Sequence, residues 1–234
     1  MRRFRPMLRI ASWSMVLAVC AVLAWQSWYF AQVLTLTGDA PTNSRFMQTE
    51  ADRLRVLGRE GRLRHEWVRY ADISDELKRA VVVAEDARFV EHWGIDWGAI
   101  QRAWVSNLSR DEIAFGGSTI TMQLAKNLYL TGQRSYWRKA QEMVIAMMLE
   151  AVLDKRRIFE LYLNLAQWGD GLFGAQAAAQ RYFGIDAHGL STAQAAWLAA
   201  MLPRPAWFDR HRDSPWLASR AASVERIVSV ARIP

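Results

Sequence analysis

The chain has 234 residues, with 30 Lys and Arg against 23 Asp and Glu, a net charge of +7 and a single cysteine. Cys20 alone excludes an intrachain disulfide and any cysteine-based metal centre. Four of the arginines precede Ile10, so residues 39–234 hold 26 basic and 23 acidic residues, an excess too mild for a nucleic-acid partner but compatible with anionic lipid or a phosphorylated substrate.

Arg2, Arg3, Arg5 and Arg9 are followed by 29 residues without a charge, Ile10 through Gly38. A bilayer core needs about 20 apolar residues as a helix, so residues 10–36 are expected to span a membrane. Trp25, Trp28 and Tyr29 fall toward the far end, where amphipathic rings favour the interface. The arginines place residues 1–9 in the cytoplasm and the rest outside, which in a bacterium is the periplasm. A cleaved signal peptide would have a shorter apolar region, about 7–15 residues, and small residues at its end. The length and bulk here favour an uncleaved anchor.

Residues 37–70 read as a linker and N-terminal region, opening on the turn signal Asp39-Ala40-Pro41-Thr42-Asn43-Ser44. From 71 to 234 the chain is long enough for one domain with a sizeable core. Ser74 caps a helix running through the apolar stretch Ala80–Ala84 to Glu85. Asp96 starts a second helix, whose pattern breaks at Ser109-Arg110-Asp111-Glu112. The loop 109–115 is expected to be mobile beside Gly116-Gly117, and Ser118 or Thr119 caps the next helix, to about Leu130. Helices are then expected from Ser135 to about Leu153, after Asp154, and after Ser191, which has capping-box spacing to Gln194. Pro203 and Pro205 stop the last of these. No strand alternation stands out, so the class is mainly α.

Glu85 ends an apolar run, where burial would raise its pKa and make it a candidate general base or acid. Asp86, Phe89 and His92 follow it closely. Thr119, Gln123 and Lys126, at i, i+4 and i+7, share one face of their helix. Beside the Gly-Gly turn and a helix N-terminus, that face suits an anionic oxygen or a sugar hydroxyl. Arg134, Arg138 and Glu142 line one face if their helix begins early enough, with Lys139 nearby. An ordinary surface ion pair between Arg138 and Glu142 is the plainer reading of that spacing. Residues 160–184 read as scaffold. His65, His92, His188 and His211 are too scattered for a zinc site, and no GxSxG elbow supports a serine hydrolase.

Taken in order, these blocks resemble the monofunctional biosynthetic peptidoglycan transglycosylases, relatives of the glycosyltransferase module of class A penicillin-binding proteins. The resemblance covers roughly residues 70–205. It rests on Glu85-Asp86-x-x-Phe89-x-x-His92-x-Gly94, Gly116-Gly117-Ser118-Thr119-Ile120-Thr121-x-Gln123-x-x-Lys126-Asn127, Arg138-Lys139-x-x-Glu142, Tyr162-Leu163-Asn164 with Gly169 and Gly174, and Tyr182-Phe183-Gly184. It implies a lysozyme-like, two-lobed helical domain behind one transmembrane helix in the bacterial inner membrane. It implies a reaction that transfers a lipid-linked glycan to the 4-hydroxyl of lipid II with inversion, releasing polyprenyl pyrophosphate. Glu85 then matches the catalytic base and Glu142 the second catalytic glutamate, which could orient basic neighbours or hold a divalent metal such as Mg or Mn. Lys126 and Arg134 match pyrophosphate-binding residues. Ser118, Thr119, Gln123 and Arg138 match substrate contacts, and Asp86, Phe89 and His92 shape the first block. Partners implied are lipid II, lipid-linked glycan, the membrane and other cell-wall synthesis and division proteins. Met122 and Gln141 depart from the pattern: the first removes a possible sugar hydrogen bond, the second a positive charge present in some relatives. A glycan-cleaving lysozyme or lytic transglycosylase-like enzyme is the alternative, and a non-catalytic scaffold a third reading. Paired cations at a pyrophosphate site favour synthesis, because a cleaving enzyme needs only a protonated acid at the glycosidic oxygen.

Overall fold

The computed structural model describes residues 4–38, 40–59, 61–110, 117–131 and 135–234. Two compact units, residues 1–39 and 40–234, divide the chain. The first is helix α1 (Phe4–Leu34) and a short turn of 3₁₀ helix. Within it, residues 12–37 have a mean hydropathy of 1.5 and form one helix long and apolar enough to cross a membrane.

The second unit is mainly helical. Its first helix, α2 (Arg45–Val56), lies in the stretch that reads as linker in the sequence. Ser44 caps it, accepting the Met47 N–H at 3.2 Å, and the buried Met47 and Leu54 face inward. The next helices are α3 (Asp75–Glu85), α4 (Trp97–Arg110), α5 (Ile120–Tyr129), α6 (Tyr136–Val152) and α7 (Lys155–Leu165). Then come α8 (Ala175–Phe183), α9 (Thr192–Met201), the short α10 (Pro205–Phe208) and α11 (Pro215–Ile227). The expected caps are present: Ser74, Asp96, Thr119, Ser135, Asp154 and the reciprocal Ser191–Gln194 box. Of the two candidates before α5, Thr119 is the one that caps it. Helix α4 continues through Arg110, past the expected break at Ser109, and most of the loop beyond it, 111–116, lies outside the described residues.

A small sheet accompanies the helices, within the mainly α class expected. Strands β1 (Arg64–His65), β2 (Gln167–Gly169) and β3 (Leu172–Phe173) pair in the order β1-β3-β2, parallel across β1–β3 and antiparallel across β2–β3. Two or three residues cannot display a period-2 alternation, so pairing rather than pattern defines them. Gly171, at φ +70°, makes the β2–β3 turn, and a Cβ there would press on Leu54 and the Arg62 carbonyl.

Two helical groups carry the core. Helix α9 packs against both α3 and α11, and α5 packs against α6, α7 and α2. Asn164, fully buried on α7, ties the extended segment before α3 to this second group: its Oδ1 accepts the Val68 N–H at 3.0 Å, and its Nδ2 donates to the Val68 and Glu160 carbonyls, both at 2.9 Å. An Asn164→Leu substitution leaves both backbone groups of Val68 unpaired. It is expected to cost about 2–3 kcal/mol, read as a fall of roughly 5–10 °C in the thermal midpoint of the detergent-solubilised chain.

Candidate active site

Glu85 is the last residue of α3, where the apolar packing of Val81 and Val82 gives way to a cleft. The cleft, of about 190 Å³, is lined by Glu85, Asp86, Arg88, Arg102, Ser118 and Thr119 among others. Burial pushes the Glu85 carboxyl above the ordinary glutamate range; the Gln123 hydrogen bond and the nearby Arg220 and Lys126 charges pull the other way, without cancelling it. Gln123 Nε2 donates to Glu85 Oε2 at 2.6 Å, and Gln123 Oε1 accepts from the Tyr162 hydroxyl at 3.2 Å. From α11, Arg220 donates to the carbonyl of Ala84 at 2.9 Å, one residue from the carboxylate.

Asp86 lines the cleft, but its carboxylate is bonded into the frame. Its Oδ2 accepts the Ile120 N–H at 3.0 Å, at the N-terminus of α5, and its Oδ1 accepts from His92 Nε2 at 2.9 Å. His92 stands edge-on to Phe89, and its buried Nδ1 has no partner among the described residues. Phe89 is fully buried against Phe159, with the Lys155 ammonium over its ring, 4.5 Å from the centroid. Phe89 and His92 therefore lie behind the cleft and not in it. Thr119 does two structural jobs: its hydroxyl accepts the Met122 N–H at 3.1 Å and donates to the Gly94 carbonyl at 2.5 Å. Gly117 is needed for close approach, since a Cβ there would fall 2.9 Å from the Ile100 Cα.

The helical period turns Gln123 and Lys126 toward the polar side and Met122 toward the core. Met122 is fully buried with Ile95 and Ala146. A glutamine at that position would have to leave the core to reach a sugar, so the Met122 departure expected to remove a sugar hydrogen bond concerns packing in this chain.

Glu142, on α6, is almost wholly buried and ion-paired through both oxygens, Oε1 with Arg138 and Oε2 with Lys139 at 3.0 Å. Its burial makes this more than a surface pair. Lys139 Nζ also donates to Ser118 Oγ at 2.5 Å, joining α6 to the segment before α5. Lys126 lies within electrostatic reach of Glu85, Glu142, Arg138 and Lys139, and burial lowers its pKa below the usual lysine value. Its ammonium makes no hydrogen bond or ion pair with another described residue. As for a metal, no three His, Cys, Asp or Glu side chains converge among the described residues, and the one carboxylate at this end has both oxygens on cations. That donor set does not fit a divalent ion. Arg134 lies outside the described residues; α6 begins at Tyr136, after it.

The site thus brings Glu85, Ser118, Gln123, Lys126, Arg138 and Glu142 around one polar face. A family profile described as Transglycosylase matches residues 52–229. The chain belongs to the biosynthetic peptidoglycan transglycosylase family. It is 46% identical over 223 residues to the biosynthetic peptidoglycan transglycosylase of Laribacter hongkongensis, covering 94% of this chain and 98% of the relative. It is 48% identical over 217 residues to that of Thiobacillus denitrificans, covering 93% and 94%. To that of Bordetella pertussis it is 46% identical over 240 aligned positions, covering 98% and 99%.

Within this transglycosylase, three residues join the site that the motif reading did not assign to it. Lys139 stands in the Arg138-Lys139-x-x-Glu142 block of the sequence but is given no role there. Tyr162 belongs to a segment that reads as scaffold, although a buried tyrosine hydroxyl needs a partner and its partner here is Gln123. Arg220 follows the recognised blocks and carries no local signal.

Because the folded-state pKa of Glu85 is raised, its contribution to stability is full below the unfolded pKa and is lost as pH rises through the folded one. Ionised Glu85 therefore costs the fold stability at neutral pH. Glu85→Gln removes that cost and can still accept the Gln123 bond. Its thermal midpoint at pH 7.5 is expected to rise, by about 2–4 °C for each kcal/mol relieved, with the advantage shrinking as the pH is lowered. A lower midpoint than wild type at both pH values would contradict this.

Proposed function

We propose that this peptidoglycan glycosyltransferase uses Glu85 as the general base that takes the proton from the 4-hydroxyl of the acceptor lipid II. The acceptor oxygen attacks the anomeric carbon of the lipid-linked donor glycan as the bond to the pyrophosphate breaks on the opposite face. The proton passes to Glu85, the electron pair leaves on the polyprenyl pyrophosphate, and the configuration inverts without a covalent enzyme intermediate. The observation that carries this reading is a desolvated carboxylate on the same polar face as a desolvated ammonium, Lys126, which has no ion pair among the described residues.

A raised carboxyl pKa alone would serve a glycan-cleaving acid equally well. The cations argue for synthesis. Lys126 and Arg138 would stabilise the charge developing on the leaving pyrophosphate, and Arg134 is proposed to add to them. Glu142 acts by orienting Arg138 and Lys139, since a metal bound there would have to displace both. Ser118 and Gln123 contribute polar contacts at the donor side, and Thr119 holds the loop that presents them.

The apolar stretch of α1 supports a single-pass anchor in the inner membrane. Arg2, Arg3, Arg5 and Arg9 support a cytoplasmic N-terminus and a periplasmic catalytic domain. That domain is proposed to have the two-lobed, lysozyme-like form, with lipid II reaching it from the bilayer and other cell-wall synthesis and division proteins as partners.

The deciding experiment is polymerisation of lipid II by the full chain and its Glu85→Gln variant. Wild type should release polyprenyl pyrophosphate and build glycan chains, while Glu85→Gln should lose at least about 10²-fold in rate, the usual weight of a general base. Shortening of pre-formed glycan, or a variant as fast as wild type, would overturn the assignment. Lys126→Ala should weaken binding of a phosphoglycolipid donor mimic such as moenomycin by about tenfold or more, the equivalent of one charge-assisted contact. Unchanged affinity would remove Lys126 from the pyrophosphate site.

A further inference from the structure

Gln123 can hold Glu85 in two ways, because the oxygen and nitrogen ends of a glutamine amide have nearly the same shape. Only the partners decide which end points where. With Nε2 toward Glu85, the amide donates to Oε2 at 2.6 Å and supports the ionised carboxylate. With Oε1 toward Glu85, two acceptors would meet, and only a protonated Glu85 would tolerate the contact. The group at the far end of the amide is the Tyr162 hydroxyl, 3.2 Å from Oε1 and on α7, on a side chain only 1% exposed.

We propose that Tyr162 is a positioning residue for the base: by donating to Gln123 Oε1 it fixes the amide with Nε2 toward Glu85, so that the carboxylate stays ionised and ready to accept the proton. This rests on the reading of Glu85 as base. The phenol keeps its proton, since burial and the nearby Glu85 and Asp86 push its pKa well above the usual tyrosine value, and Gln123 Oε1 is the acceptor that proton has among the described residues, so a flipped amide would leave it unpaired. With Oε2 engaged by Gln123, Oε1 of Glu85 has no hydrogen-bond partner among the described residues, and it is the oxygen that receives the proton from the acceptor hydroxyl. Tyr162 is too deep to touch a sugar, so its influence must pass through Gln123.

The other groups facing Glu85 are Lys126 from α5, Arg220 from α11 and the adjacent Asp86. Tyr162→Phe leaves all of them in place and preserves the ring that fills the core. It removes only the donor that selects the amide orientation. The flipped amide then competes whenever Glu85 is protonated, and the pH at which Glu85 ionises rises.

The test is the pH dependence of lipid II polymerisation by the full chain in detergent. In Tyr162→Phe the acidic limb of kcat/KM should move up by about 0.5–1 pH unit, the equivalent of one hydrogen bond. KM for lipid II at high pH should stay within about twofold of wild type, as expected for a group that acts only through the base. In a Gln123→Met background the further change Tyr162→Phe should add no shift, because no amide remains to orient. Replacing Tyr162 by a ring-fluorinated tyrosine, a stronger donor, should move the limb down, and this variant carries the test should the phenylalanine protein not fold. A folded Tyr162→Phe with an unmoved limb, or equal shifts with and without Gln123, would overturn the proposal. Loss of polymerisation in wild type, or its survival in Glu85→Gln, would instead overturn the assignment of the base, so the two failures are told apart.

Discussion

The carboxylate of Asp86 is the tie on which the site depends. It sits one residue beyond the base and collects the first N–H of α5 together with His92 Nε2. Hydrogen bonds to an ionised group are worth about 1.5–3 kcal/mol each, and here they join three separate pieces of chain: the end of α3, the loop through His92 and the start of α5. The anion also sits at the positive end of the α5 dipole, where it is favoured. Thr119 makes a parallel tie, bonding Gly94 while capping the same helix. Because Gln123 and Lys126 stand on α5, fixing its N-terminus against Glu85 places the partners of the base. The aspartate in the first motif and the threonine in the second thus hold the framework, and the neighbouring glutamate and lysine are the residues proposed for the chemistry.

Electrostatically, the polar face is divided. At the Glu142 end, two cations share one buried carboxylate, so their charge is compensated and their positions are fixed. Lys126, which feels the charges of both Glu142 and Glu85, has a desolvated ammonium without a direct counter-ion among the described residues. Glu85 is desolvated too, and its shift is in the opposite direction. Burial disfavours the charged form of both residues. Such a site is a stability cost, tolerable when function needs it. On the proposed mechanism an anionic pyrophosphate would pair with Lys126, and a proton from the acceptor hydroxyl would relieve Glu85.

Much of this was legible in the sequence because it depends on local rules. Apolar run and terminal carboxylate gave α3 and Glu85, capping residues gave the helix starts, and i, i+4, i+7 spacing put Gln123 and Lys126 on one side. What was not legible depends on contacts between segments distant in the chain. Helix α2 lies in a polar stretch whose fully buried apolar residues are only Met47 and Leu54, with Phe46 edge-on to Phe173, too thin a stripe to stand out from a linker. The strands are too short to alternate, and they exist because β1 meets β3 across more than 100 residues. Surface ion pairing was the plainer reading of Arg138 and Glu142 because spacing cannot report depth. Tyr162 read as scaffold for the same reason: nothing local says that its hydroxyl ends beside Gln123.

Arg220 shows how far the base is a product of the whole domain. Glu85 occupies the C-terminal end of α3, where the helix dipole is negative and an anion is disfavoured. Burial adds to that penalty. Against both act the Gln123 amide from α5, the Lys126 charge from the same helix, and Arg220 from α11, which also occupies the Ala84 carbonyl at the helix end. A guanidinium is suited to this double duty, since it stays charged and has donors to spare for a backbone carbonyl. Helix α11 holds Arg220 in place by packing on α9, which in turn packs on α3. The pKa of one glutamate is therefore set by α3 itself and by two helices that approach it from different parts of the sequence, and a domain shortened before α11 would lose a term in that balance even with every recognised motif intact.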